Sequence, residues 1–120
     1  MNYKGSCHCG NIRWETSQLP EWLTRCTCSY CRKSAATWGR VNFNYTSLAY
    51  GKGPVVRYIH GDKTLAFISC GNCGCTTHWE SLDSTAAQKL KLNYATSDFA
   101  MPDDIPVRTF DGADSWTYLD

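Results

Sequence analysis

The stretch "GSCHCG" (residues 5–10) decides how the rest of the chain is read, because it sets two cysteines one residue apart between two glycines. In an extended strand the side chains at i and i+2 share a face, so the thiols of Cys7 and Cys9 can converge on one ion while Gly5 and Gly10 let the backbone bend around it. Two ligands leave a tetrahedral site half built. The matching half is "CGNCG" (residues 70–74), a C-x-x-C turn with glycines inside and after it, which aims two thiolates at one zinc. Cys7 and Cys9 are therefore paired with Cys70 and Cys73 as a closed four-thiolate zinc site. Such a site ties the first strand to the middle of the chain and contributes folding free energy outright.

The eight cysteines fall in three tight clusters, and the third, "CTCSYC" (residues 26–31), offers the thiols of Cys26, Cys28 and Cys31 from one short loop. Three protein ligands with an open position is the arrangement of a catalytic zinc, whereas a fourth ligand closes a structural one. Cys75, His8, His60 and His78 are the residues that would close it. A disulfide framework is the competing reading of an even cysteine count. It is disfavoured because neighbouring pairs such as Cys7 and Cys9 would close very small, strained loops, and because cytosolic thiols are held reduced. A thioredoxin-like use of Cys28-x-x-Cys31 or Cys70-x-x-Cys73 needs a βαβ context that the pattern lacks.

A chain of 120 residues is expected to form a single zinc-binding domain over residues 1–120, near the size where a metal staple helps. The formal net charge is +1, with Lys and Arg scattered rather than clustered, so neither a nucleic-acid backbone nor a membrane surface is an expected partner. The start lacks the apolar core of a signal peptide and no stretch is long enough to span a membrane, which predicts a soluble, cytoplasmic protein. Period-two alternation in "NIRWET", "TLAFIS" and "KLKLNYA" predicts half-buried strands with Ile12 and Trp14, Leu65 and Phe67, and Leu90, Leu92 and Tyr94 turned inward. "VVRYIH" and "TWGRVNF" read the same way by composition. "DSTAAQKLK" (residues 83–91), with Asp83 or Ser84 as cap, predicts one short helix, and "LAYGKGPV" and "AMPDDIPV" read as loops. The sum is an all-β, antiparallel fold with its cysteines at strand ends and turns.

Taken together, "GSCHCGNIRWE", "CTCSYCRKS" and "SCGNCGC" resemble, in that order, the signatures of the glutathione-dependent formaldehyde-activating enzymes, the family that includes centromere protein V. "VRTFDGADSW" is similar to the C-terminal part of its short bacterial members. The resemblance implies a β-tent-like zinc fold of small coiled antiparallel sheets and two zinc ions per chain. One would be structural, on Cys7, Cys9, Cys70 and Cys73; the other, on Cys26, Cys28 and Cys31, would be exchangeable or catalytic. It also implies carbon–sulfur lyase chemistry on an aldehyde adduct of glutathione or another small thiol, and it favours the open form of the second site.

Around that site the assignments stay double. Arg32, Lys33 and Arg40 are candidates to receive substrate carboxylates, with a solvated face as the plainer reading. Tyr30 and Trp38 are candidate pocket walls or simply core. His78 is either a proton shuttle or a packed strand residue, and Asp111 and Gly112 read first as a turn and second as a site feature. Two functions are compatible with the sequence: a small zinc enzyme making or breaking carbon–sulfur bonds, and a non-catalytic zinc-stabilised β module that binds a protein. Thiol redox or metal buffering comes behind both.

Overall fold

The computed structural model describes residues 2–82 and 89–120, and among them no helix is long and apolar enough to cross a membrane. The alternation in "NIRWET" becomes β2 (Ile12–Thr16), which buries Ile12, Trp14 and Thr16 and turns Arg13 outward. It pairs antiparallel with β1 (Tyr3–Ser6) and β5 (Thr46–Tyr50) in a three-stranded sheet. Gly5 does not bend the chain around a metal, as the sequence suggested. It lies in regular β1 opposite Trp14, whose indole fills the space a Cβ would take.

The remaining strands are β3 (Leu23–Cys26), β4 (Trp38–Val41), β6 (Val55–Tyr58), β7 (Leu65–Cys70), β8 (Thr76–Ser81), β9 (Leu90–Asn93) and β10 (Val107–Phe110). They form a second sheet in the order β10-β3-β4-β9-β8-β7-β6. All pairs are antiparallel except β10 with β3, which run parallel. A parallel pair needs a long return path, and here most of the chain lies between the two strands. The architecture is all-β, and the described residues add a single short helix, α1 (Ser29–Ser34), and two 3₁₀ turns at Phe43–Tyr45 and Tyr94–Thr96.

Local expectations and the observed elements compare as far as the described residues allow. The "LAYGKGPV" loop is shorter than expected, since Leu48–Tyr50 belong to β5 and Val55 opens β6. Residues 83–88 of the expected helix lie outside the described residues, and Leu90 and Lys91 are already strand. A helix not expected from the sequence stands in "SYCRKS", capped by the Cys28 thiol, which accepts from the Cys31 N–H, and ended by Ala35 in the left-handed region at φ 55°.

The two faces of the larger sheet have different jobs. One face packs on the three-stranded sheet: Ala66, Ile68 and Cys70 meet Cys7 and Ile12, while Leu23, Leu92 and Tyr94 meet Trp14. Side chains of this size contribute about 1.5–3 kcal/mol each when fully buried. His78 lies on this face, fully buried, with Nδ1 paired to Thr77 Oγ1 at 2.8 Å and Nε2 to Tyr50 Oη at 3.3 Å across the sheets. The opposite face carries Phe67, Trp38 and Trp79, packed with Cys26, Cys28 and Cys31. Strand β7 is thus covered on both sides, which is why Ala66 and Ile68 are buried alongside Phe67 rather than alternating with it.

Candidate metal centres

Two turns of similar build bring four sulfurs together. The Cys7 N–H donates to the Ile12 carbonyl at 2.9 Å and the Gly10 N–H to the Cys7 carbonyl at 3.0 Å; the Cys70 N–H donates to the Cys75 carbonyl at 3.0 Å and the Gly74 N–H to the Cys70 carbonyl at 2.8 Å. Gly10 and Gly74 have φ of 84° and 83°, a backbone that glycine adopts without steric cost. The Sγ atoms of Cys7, Cys9, Cys70 and Cys73 lie within 4.8 Å of one another, with Cys7–Cys9 at 3.8 Å and Cys9–Cys70 at 3.6 Å. A tetrahedron with metal–sulfur bonds of about 2.3 Å has edges of about 3.8 Å, so these separations suit an ion of zinc's size.

Backbone donors surround the sulfurs. The Ile12 N–H reaches Cys7 Sγ at 3.2 Å, and the Asn72 and Cys73 N–H groups reach Cys70 Sγ at 3.3 and 3.4 Å. Donors aimed at sulfur favour the thiolate, and burial opposes it. The Cys75 backbone N–H, followed by that of Cys9, brings the Cys73 thiol down to about 5, while burial pushes Cys7 up to about 11. All eight cysteines are free. A group of thiols with such unequal proton affinity gives up its remaining protons when a cation arrives, which couples metal binding to proton release.

The second group is built from the end of β3, the cap of α1 and its first turn. Cys26, Cys28 and Cys31 place their sulfurs within 4.8 Å of one another. The Cys31 N–H reaches Cys28 Sγ at 3.4 Å, and Trp38 Nε1–H donates to Cys31 Sγ at 3.3 Å. Sharing a hydrogen between Cys26 and Cys31 holds the first down to about 5 and raises the second, where burial adds to the effect. Among the described residues no histidine, carboxylate or fourth cysteine joins this group. Cys75 stays beside the first group, packed against the Cys7, Ile12 and Ile68 core, and belongs to neither set of sulfurs.

A C-terminal loop closes over one of the three sulfurs. Asp111 accepts from Thr27 Oγ1 at 2.7 Å and from the Ser115 N–H and hydroxyl at 3.1 and 2.9 Å, bonds that hold its carboxyl below the usual range. Thr27 lies between Cys26 and Cys28, so the loop is fastened to the ligand segment itself. Gly112 presses its backbone on the sulfur: a Cβ there would stand 2.5 Å from Cys26 Sγ. Trp116, at φ 60° and 69% exposed, stands edge-on to Phe110 beside this contact. A bulky residue in that conformation is uncommon and is held only by surrounding structure.

The other sequence candidates separate by face. His78 is on the far side of the sheet, and burial brings its pKa down to about 4, so it sits neutral between Tyr50 and Thr77, away from the three sulfurs. Tyr30 stacks on Phe67 at 4.1 Å and also meets Tyr58 and His60, an aromatic cluster beside Cys31. Trp38 is both core and sulfur donor. His8 is exposed, as are Arg32 and Lys33 on α1. Arg40 is exposed as well, and it lines an open cavity of about 940 Å³ together with Lys91, Trp79, Thr24 and Tyr118. The sequence reading missed Lys91, Thr27 and Trp116. Lys91 could have been found only from the strand register, which sets it opposite Arg40.

Both sulfur groups fall inside the stretch that a known family shares. The profile of the glutathione-dependent formaldehyde-activating enzymes matches residues 2–108. The chain belongs to that family. Among solved structures, a Rhodobacter sphaeroides protein determined by crystallography is similar with a TM-score of 0.69 and 27% identity, over 87% of this chain and 98% of that one. No curated protein matches. The loop with Asp111, Gly112 and Trp116 lies beyond the family-matched residues, although it covers a sulfur within them. For this family member both cysteine groups could hold a metal ion, and an all-thiolate donor set suits zinc.

Proposed function

We propose that the protein is a zinc-dependent carbon–sulfur lyase acting on the adduct of an aldehyde with glutathione or another small thiol. The observation that carries this reading is the pair of unlike sulfur groups: four sulfurs at separations that suit a tetrahedron, and three with no fourth ligand beside them among the described residues. Cys26, Cys28 and Cys31 would hold the zinc, which when bound would favour the thiolate form of an incoming thiol. The Trp38 indole N–H and the Cys31 backbone N–H fix the lone pairs of Cys31 and Cys28, and Gly112 limits where Cys26 can move. In the forward direction the thiol sulfur's electron pair forms the new carbon–sulfur bond, the carbonyl π pair moves to oxygen, and the proton lost by the thiol ends there. The reverse breaks that bond and restores thiol and aldehyde. His78, on the far face of the sheet, takes no part in this proton transfer.

Metal analysis with X-ray absorption tests the reading. Expected are two zinc ions per chain, one with four sulfurs and one with three, and glutathione should alter only the latter. Zinc ions that are both saturated by protein sulfur and indifferent to thiols would remove the basis for a lyase. That result would favour the second reading, a zinc-stabilised module for a protein partner, to which the edge strand β6 lends support: Val55, Val56 and Tyr58 are all exposed there.

Gly112→Ala is a sharper probe of the three-sulfur group. The added methyl overlaps Cys26 Sγ, and overpacking of this kind costs about 1–3 kcal/mol. The variant is expected to lose zinc from this group while keeping it in the four-sulfur group, with a melting temperature only a few degrees lower. Equal zinc content in variant and parent would show that the loop does not set the position of Cys26.

A further inference from the structure

Arg40 and Lys91 stand directly opposite each other in the β4–β9 register, on the sheet face that carries the three-sulfur group. Like charges in that relation repel and destabilise a sheet. Neither has a carboxylate within ion-pair distance among the described residues. Lys91 is half-buried, with its ammonium 5.7 Å from the centroid of the Trp79 ring, while Arg40 is exposed at the mouth of the same face. Holding the half-buried lysine there without a carboxylate costs free energy, which packing alone does not explain.

The cavity supplies one. Its lining sets three cations, Arg40, Lys89 and Lys91, against a single carboxylate, Glu21. None of the three sulfurs lines it, but it lies next to them on the same face: Trp79 lines it and also packs in the cluster that holds Cys31, Thr24 precedes Cys26 by two positions on one face of β3, and Arg40 follows Trp38, the donor to Cys31, by two on β4. A one-carbon aldehyde would use neither this space nor this charge.

We propose that Arg40 and Lys91 form a carboxylate-binding subsite of the three-sulfur centre, so that its substrate is a thiol adduct bearing an acid group. The assignment rests on the thiol-adduct reading above. A guanidinium fork and an ammonium on adjacent strands grip a carboxylate from two sides, and the Trp79 ring offers an apolar wall to the carbon chain behind it. The acid has two possible sources with the same chemistry: the thiol's own carboxylate, as in glutathione, or a carboxylate on the carbonyl half.

The test uses the full chain loaded with cobalt(II), whose thiolate bands report a new sulfur ligand. It is titrated with glutathione, glutathione diethyl ester and neutral 2-mercaptoethanol, and the 2-mercaptoethanol series is repeated with glyoxylate and with formaldehyde. Expected is a preference of about tenfold or more for the acid over its neutral counterpart, and its collapse in Arg40→Gln and in Lys91→Gln. A preference seen between glutathione and its ester places the acid on the thiol; one seen between glyoxylate and formaldehyde places it on the carbonyl half. The same affinities throughout, in parent and variants, overturn the subsite. If no thiol changes the cobalt bands, the thiol-adduct reading falls by itself. Calorimetry of glutathione and glyoxylate then decides the subsite, which stands if their binding depends on Arg40 and falls if it does not.

Discussion

Cys73→Ser is expected to leave the chain largely unfolded, with the cooperative melting transition lost and zinc content reduced to background. Cys73 belongs to the knot that joins the β1–β2 turn to the β7–β8 turn, and so joins the three-stranded sheet to the larger one. Beyond this knot and the shared apolar core, the first sheet is linked to the C-terminal half by the Gly5–Ser97 backbone bridge and by side-chain hydrogen bonds such as Trp14 Nε1–H to Thr96 Oγ1 at 2.9 Å and Tyr50 Oη with His78 Nε2 at 3.3 Å, which are weak beside four metal–sulfur bonds. Structural zinc in a four-ligand site contributes on the order of 10–16 kcal/mol of apparent binding free energy. Net stabilities of whole domains are about 5–15 kcal/mol. A serine oxygen in place of one thiolate removes enough of the first quantity to exhaust the second. Cys75→Ser is the control, because Cys75 lies two residues away, in neither sulfur group, and its loss should shift stability by about 1 kcal/mol. Circular dichroism and metal analysis of both variants decide the matter. A Cys73→Ser protein that melts within a few degrees of its parent would mean that the core alone holds the two sheets.

What could be read in advance followed the range over which each signal acts. The cysteine sets were legible because C-x-C-G and C-x-x-C-G encode their own turns: Gly10 and Gly74 adopt the positive φ those turns require. Strands β2 and β9 were legible because one face of each is buried, so Ile12, Trp14, Leu90 and Leu92 keep a period of two. In β7 both faces are covered, and alternation of Leu65 and Phe67 described only one of them. Helix α1 escaped notice because it is 6 residues long, too short to show a helical period, and its cap is a cysteine rather than Ser, Thr, Asp or Asn. The parallel pairing of Val107–Phe110 with Leu23–Cys26 and the opposition of Arg40 to Lys91 are matters of register between distant segments. No local pattern carries that information. The cover of Asp111 and Gly112 on Cys26 is hidden for the same reason, since "TFDGADSW" is a good turn whether or not a sulfur lies beneath it.

Cys28→Ser separates chemistry from folding more cleanly than any other change at the second group. Cys28 caps α1, and its side chain accepts from the Cys31 N–H. Serine is among the best residues for that task, so the helix start and the path of the 26–31 segment should survive. What is lost is one of the three sulfurs, and with two remaining the site holds zinc poorly. The four-sulfur knot is on the other side of the larger sheet and shares no residue with this group. The variant should therefore purify folded with a single zinc ion, melt within a few degrees of its parent, and lose turnover of the thiol–aldehyde adduct by on the order of a hundredfold or more, since even changing a residue that only hydrogen-bonds to a metal's ligand costs about 10–100-fold. A collapse as deep as that of Cys73→Ser would show that both metals hold the fold. Full activity with one zinc would place the chemistry outside the three sulfurs. Only the combination of a kept fold, a halved metal content and lost turnover is compatible with a division of labour between the two groups.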